Sequence, residues 1–152
     1  VSFIIGIIYR SGILVFITFL ANFIPVIFTG AIMAIGNIEL RGTTTMIFAI
    51  GYVIAVDDTL HFVNRFELER KKGLPVKDAL MLTISHTGRA MVMTSLILLG
   101  GFLILMHSSF GDVFMHGFLI SLIILSAMIT EFTLTPALIL LLYNNKNSKK
   151  KF

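Results

Sequence analysis

The chain has 152 residues, of which 57% are hydrophobic and 13% are charged, and its formal net charge is +4. Because soluble domains contain about 25% charged residues, this composition is too poor in charge to cover a water-exposed surface and indicates a membrane protein. The absence of cysteine excludes disulfides, thiolate metal sites and cysteine nucleophiles.

Long uncharged runs predict membrane-spanning helices, because about 20 residues at 1.5 Å each cross a hydrocarbon core of about 30 Å. The predicted spans are residues 12–36, 43–64, 90–107 and 113–142. Residues 1–9 are typical of the end of an earlier span, and the absence of a cleavable signal pattern favours an origin within a longer protein. We therefore expect an all-α fold, a polytopic transmembrane helix bundle with four full spans and the end of a fifth.

A polar segment, residues 65–89, separates the second and third spans and is too highly charged to cross a bilayer. Gly73 and Pro75 break it, and apolar residues then recur every three or four positions. This period predicts an amphipathic helix whose apolar face consists of Val76, Ala79, Leu80 and Ile84. We expect that helix to lie along the membrane surface. Residues 1–143 then form one transmembrane domain, followed by a basic tail at 144–152.

Lysine and arginine are distributed unevenly between the two sides of the predicted bundle. Arg41 lies alone on one side, and the other eleven of the twelve lie opposite: Arg10, Arg65, Arg70, Lys71, Lys72, Lys77, Arg89, Lys146, Lys149, Lys150 and Lys151. Because basic loops stay in the cytoplasm, this bias predicts that segment 65–89 and the C-terminus are cytoplasmic. The net charge therefore reflects topology, and we expect no binding of nucleic acid.

Two adjacent aspartates, Asp57 and Asp58, interrupt the second span. A carboxylate at membrane depth costs about 2.5 to 3.5 kcal/mol on insertion scales. Two such residues side by side therefore indicate that the protein uses these carboxyl groups. Burial and a like-charged neighbour both favour the neutral form, and at least one of the two side chains is expected to hold and exchange a proton near neutral pH. Neighbouring positions on a helix diverge by about 100°, so the two aspartates are expected to face different helices.

Polar residues elsewhere in the spans are expected to support this pair. His61 lies three and four residues after the aspartates, within reach of either carboxylate. Glu131 is expected at a similar depth in the fourth span, and Asn22, Thr94 and Ser95 add neutral hydrogen-bonding groups. An alternative interpretation remains, in which the acidic residues are neutral packing residues or line a water-filled vestibule.

The pattern does not fit an intramembrane protease or a metal site. Aspartyl proteases of this kind carry their aspartates on different helices after Gly-x-Gly, whereas this adjacent pair follows Ala55 and Val56. Ser95 lacks the Gly-x-Ser-x-Gly surroundings of a serine hydrolase. His107 and His116 lie at the predicted outer edge, where surface histidine is more common than metal ligation. We expect no enzyme activity, no metal and no cofactor other than a proton gradient.

Several motifs together resemble the membrane domain of the resistance-nodulation-division (RND) superfamily. They are "VDDTLHF" with Gly51 six positions before the acidic pair, "TGRAMVMTS" entering the third span, "GF" followed by "SSF", and a closing acidic residue followed by "PAL". The similarity covers about residues 20 to 140 and is closer to the MMPL-like exporters, also called the hydrophobe/amphiphile efflux-3 group. The resemblance implies that this chain is the C-terminal half of a membrane domain built from two six-helix halves. It places the proton relay on Asp57 and Asp58.

The resemblance also implies a function and a location. The expected activity is proton-driven export of lipids or other hydrophobic or amphiphilic compounds across the bacterial cytoplasmic (inner) membrane. Expected partners are membrane lipids, a hydrophobic or lipid-like substrate, and the rest of the same transporter chain, with its N-terminal half and porter domains; assembly into an oligomer stays open. The alternative is a lipid-binding regulatory module like a sterol-sensing domain, which shares the helix scaffold without moving protons.

Overall fold

The computed structural model describes the backbone of residues 12–148 and the side chains of residues 12–142. The helices are α1 (Gly12–Ile35), α2 (Gly42–Lys71), α3 (Val76–Thr83), α4 (Arg89–Leu105) and α5 (Gly111–Ser148). A π-helical turn at Ile84–Gly88 joins α3 to α4, so that Val76–Leu105 forms one continuous helix. Within the described residues there is no strand, and four helices are long and apolar enough to cross a membrane. The predicted all-α bundle of spans is thereby confirmed.

The helix bounds differ from the predicted spans mainly at the polar ends. The second helix continues past the predicted end at residue 64 to Lys71, and the fourth continues past residue 142 to Ser148. Part of the predicted tail at 144–152 is therefore helical. Hydropathy marks only the part of a helix in hydrocarbon, and a polar extension keeps its backbone hydrogen bonds without an apolar surface. The predicted partial span at residues 1–9 lies outside the described residues.

Helix α5 occupies the centre of the bundle and packs against α1, α2 and α4. Two apolar clusters lie along it. The cluster near the turn at residues 36–41 consists of Met33, Ile47, Leu99, Leu119, Ile120, Ile123 and Ile124. The cluster near the turn at residues 72–75 consists of Ile17, Phe62, Phe66, Val76, Ala79, Leu80, Met91 and Ile139. On α2 the polar residues at 57–59 fall between these clusters, so the candidate site has apolar packing on both sides.

The short helix α3 packs against protein, which differs from the predicted surface helix of segment 65–89. The chain reverses at Gly73, whose φ of 85° is readily adopted by glycine. The apolar face of α3 is then buried against Phe62 and Phe66 of α2. Its stripe of apolar residues therefore covers the end of the bundle core, because an apolar helix face can be buried by protein as well as by lipid.

Two glycines allow close contact between α5 and its neighbours. A Cβ added at Gly117 would lie 2.7 Å from the backbone oxygen of Phe102 in α4. A Cβ added at Gly51 of α2 would lie 2.5 Å from the Cδ1 atom of Ile123. Small residues of this kind let membrane helices approach one another closely. Gly51 thereby allows α2 and α5 to meet closely, and Gly117 does the same for α5 and α4.

We expect Gly117→Ala to lower the thermal stability of the purified protein in detergent. The new methyl group meets backbone rather than a movable side chain, and overpacking of this kind costs about 1–3 kcal/mol. Gly101→Ala on α4 is the matched control, since nothing lies within 4 Å of a Cβ there and alanine favours a helix. An unfolding temperature of Gly117→Ala equal to that of the control would contradict the close approach of α4 and α5.

The topology can be measured by cysteine labelling, since the chain has no cysteine of its own. Leu40 lies in the turn between α1 and α2, and Lys77 lies at the start of α3, at the other end of α2. We expect Lys77→Cys to react with a membrane-impermeant maleimide only from the cytoplasm and Leu40→Cys only from outside. Labelling of both positions from the same side would contradict the four-span topology.

Candidate functional site

Three consecutive polar residues of α2 point in three directions at the middle of the bundle. Asp57 is exposed and lies in a cleft between α2 and α4, Asp58 is half-buried and turned towards α4, and Thr59 is buried towards α1 and α5. The divergence follows from the rotation of about 100° per residue in an α-helix. One helix turn thus reaches from an open cleft to the buried interior.

The cleft has a volume of about 800 Å³ and separates α2 from α4. The side chains of Asp57 and His61 are 70% and 68% exposed, and their Oδ1 and Nε2 atoms are 3.8 Å apart. This separation is too long for a hydrogen bond, so His61 leaves Asp57 accessible. Thr94 lines the opposite wall, and its hydroxyl group donates to carbonyl oxygens of its own helix. Most other lining residues are apolar.

Asp58 is the half-buried member of the pair. The hydroxyl of Ser95 on α4 donates to its Oδ2 atom at 3.5 Å, a long contact. Its charge interacts with those of Asp57 and His61 on the cleft side and with that of Glu131 on the buried side. Asp58 is therefore electrostatically linked both to the exposed pair and to the interior carboxyl group.

Thr59 connects three helices through one hydroxyl group. Its Oγ1 atom lies 2.9 Å from Oδ1 of Asn22 on α1 and 3.0 Å from Oε2 of Glu131 on α5. It also lies 3.0 Å from the carbonyl oxygen of Ala55 on its own helix. The amide nitrogen of Asn22 donates to the carbonyl oxygen of Thr18 at 2.7 Å, which leaves Oδ1 free to accept from Thr59. All these side chains are buried, so the network is shielded from solvent.

Glu131 is the most buried carboxyl group of the candidate site, with 4% of its surface exposed. Its Oε2 atom lies 3.0 Å from the hydroxyl oxygen of Thr59, and the hydroxyl of Thr135 lies 3.4 Å away. Its Oε1 atom is buried without a hydrogen-bond partner. Within residues 12–142 no lysine, arginine or histidine forms an ion pair with it. A carboxyl group in these surroundings is costly to ionise.

Comparison with known proteins identifies the family of this chain. The sequence profile of the MMPL family matches residues 1–151. The chain belongs to the MMPL family. It is also 31% identical over 118 residues to membrane protein MJ1562 of Methanocaldococcus jannaschii. That match covers 78% of this chain but 30% of the relative, so the chain spans less than a third of the relative's length. No solved structure matches the chain.

Family membership confirms the resemblance drawn from the acidic pair and its surrounding motifs. The chain is a multi-pass membrane segment of an MMPL protein, with four spans in the described residues. Among those residues, no group of three or more His, Asp or Glu side chains is placed to hold a metal ion.

The structure divides the seven predicted site residues of this MMPL chain into two groups. One lies in or beside the cleft between α2 and α4: Asp57, Asp58, His61, Thr94 and Ser95. The other, Asn22 and Glu131, lies in the buried network of α1, α2 and α5. Sequence reasoning did not single out Thr59, which joins the second group. A signal was present, since Thr59 follows Gly51 and Ala55 at intervals of four and thus shares their face of α2.

We expect Thr59→Val to lower the free energy of unfolding by about 1–3 kcal/mol, because it removes the hydrogen-bond partner of buried oxygen atoms of Asn22 and Glu131. Thermal unfolding in detergent measures the effect, and Thr59→Ser should restore most of the lost stability. Thr133→Val is the matched control, since Thr133 is exposed on α5 and bonds only within its own helix. Equal unfolding temperatures for Thr59→Val and Thr133→Val would show that the network contributes nothing.

Proposed function

We propose that this chain is the C-terminal membrane half of a proton-driven exporter of lipids or other hydrophobic or amphiphilic compounds in the bacterial cytoplasmic membrane. Members of the MMPL family are transporters, and the chain matches the family over nearly its whole length. The observation that carries the proposal is the position of the acidic pair. Asp57 is open to a cleft, and its neighbour Asp58 is half-buried and contacts Ser95 of α4. Such a pair can pass protons between water and the interior.

In the proposed mechanism, Asp57 takes up a proton from water in the cleft, and His61 beside it assists the exchange. Protonation of one aspartate relieves its repulsion of the other, because like charges close together disfavour one another. Removing a charge from the cleft wall also removes the cost of covering it with apolar surface. Helices α2 and α4, which are separated by this cleft, then pack more closely, and the equilibrium between two arrangements of the bundle shifts.

The helix Val76–Leu105 has an exposed apolar face against which the proposed partner of this chain, the N-terminal half of the same transporter, could pack. Only 22% of the most apolar stretch of the helix Val76–Leu105 is buried in the bundle, and Met93, Leu96 and Ile97 are exposed on it. In a complete membrane domain, lipids or the other half cover this surface. In the proposed orientation the turn at residues 72–75 and the C-terminus face the cytoplasm, in agreement with the distribution of lysine and arginine.

One observation favours the alternative of a lipid-binding module related to sterol-sensing domains. The cleft walls around the acidic pair include Val53, Ile54, Leu60, Ile97 and Leu98. Apolar walls with a few polar groups are typical of sites for hydrophobic ligands. In that case the cleft would bind a lipid, and neither aspartate would need to exchange a proton.

We expect Asp57→Asn and Asp58→Asn each to reduce proton-driven efflux by about a hundredfold or more, the range found when a proton-transfer group is removed. The measurement is efflux of a fluorescent amphiphilic dye from energised cells that express the full-length protein, with its amount in the membrane checked by immunoblot. Asp78→Asn is the control, because Asp78 is exposed on α3. Full efflux in both variants would refute the relay. Retained binding of a photoreactive sterol, with no proton-driven efflux in the wild type, would favour the lipid-binding alternative.

A further inference from the structure

The hydroxyl group of Thr59 lies close to more hydrogen-bond acceptors than its single hydrogen can bond to. A threonine hydroxyl has one hydrogen to donate, and it can accept through its lone pairs. Three oxygen atoms lie within 3.0 Å of it, belonging to Asn22, Ala55 and Glu131. The direction of each hydrogen bond therefore depends on whether a second group in the network supplies a hydrogen.

Glu131 is the group that can supply it. An ionised carboxylate only accepts, so it would take the hydrogen of Thr59 and leave Oδ1 of Asn22 without a donor. Its buried Oε1 atom would then share the negative charge with no donor in contact. A protonated Glu131 donates from Oε2 to Thr59, and Thr59 donates to Asn22. The protonated form thus satisfies the bond between α1 and α2, and it avoids a buried charge without a partner.

We propose that Glu131 is a proton-binding site distinct from the Asp57 and Asp58 pair, and that its proton orients a hydrogen-bond chain from α5 through Thr59 of α2 to Asn22 of α1. The 2.9 to 3.0 Å spacing of these oxygen atoms is that of hydroxyl hydrogen bonds. Loss of the proton turns the Thr59 hydroxyl towards Glu131 and releases Asn22. The attachment of α1 to α2 at this level therefore depends on the protonation of Glu131.

The charged groups around Glu131 come from few helices. Helix α1 (Gly12–Ile35) has no titratable side chain, and α4 has none between Ala90 and Leu105. On α3, Lys77 and Asp78 are exposed at the end of the bundle. On α2, Asp58 is the group whose charge acts on Glu131.

Because like charges disfavour one another, an ionised Asp58 favours a proton on Glu131. The coupling between Asp58 and Glu131 rests on the proposed proton exchange at the acidic pair, whereas the protonation of Glu131 itself does not.

The experiment is infrared spectroscopy of the full-length protein reconstituted in phosphatidylcholine vesicles. We expect a carbonyl stretching band of a protonated carboxyl group at neutral pH, which Glu131→Gln removes and Asp57→Asn leaves in place. Thr59→Val should shift the frequency of this band, because the acid loses its hydrogen-bond acceptor, and Thr59→Ser should restore it. A purely structural role of the hydroxyl would affect stability without moving the band.

Several results would overturn the proposal. They are the absence of a protonated carboxyl band at neutral pH, a band unchanged in Glu131→Gln, or a band in Thr59→Val identical to that of the wild type. Loss of the wild-type band on addition of sodium chloride at constant pH would instead indicate a cation site. The presence of the band in the wild type at neutral pH does not depend on any variant folding. A wild-type band assigned to Glu131 together with full efflux in Asp57→Asn and Asp58→Asn would refute the proposed function and leave this inference standing.

Discussion

The arrangement of this bundle depends on how buried polar side chains find hydrogen-bond partners in an apolar interior. Glu131 and Asn22 come from helices at opposite ends of the sequence, and each needs a partner, because a buried polar group without one is costly. Thr59 supplies that partner to both through a single hydroxyl group. This contact joins α1, α2 and α5 at one level, and the apolar clusters on both sides exclude water from it.

The same turn of α2 that presents Thr59 to the interior presents Asp57 to the cleft. The contrast in surroundings is produced by helix geometry alone, since successive residues point about 100° apart. In the proposed function, this rotation lets protons enter at an exposed carboxyl group while the charge of its neighbour acts on the interior. Asp58 lies between the two environments, with one contact to Ser95 and an electrostatic interaction with Glu131. Transport and helix packing would thus be coupled within three residues.

The close contacts of glycine residues make this coupling geometrically feasible. Gly51 brings α2 near Ile123 of α5, and Gly117 brings α5 near the backbone of α4. Helices held at short distances transmit a change in one side chain to their neighbours. A closely packed interior does not deform gradually, and it switches instead between discrete packing arrangements. The cleft between α2 and α4 is the place where such a change has room, since these helices are separated there.

The sequence by itself determined the membrane character, the four spans and the family. It also located Asp57, Asp58 and Glu131, because a charged residue within a long apolar run can be recognised without knowledge of the tertiary structure. It did not determine that α3 packs against α2 or that α2 continues to Lys71, because an apolar stripe and a polar helix end are compatible with more than one neighbour. Only the tertiary structure showed that the candidate residues form two groups. The role of Thr59 arises from contacts with Asn22 and Glu131, which are 37 and 72 residues away, and local sequence carries no record of such pairings.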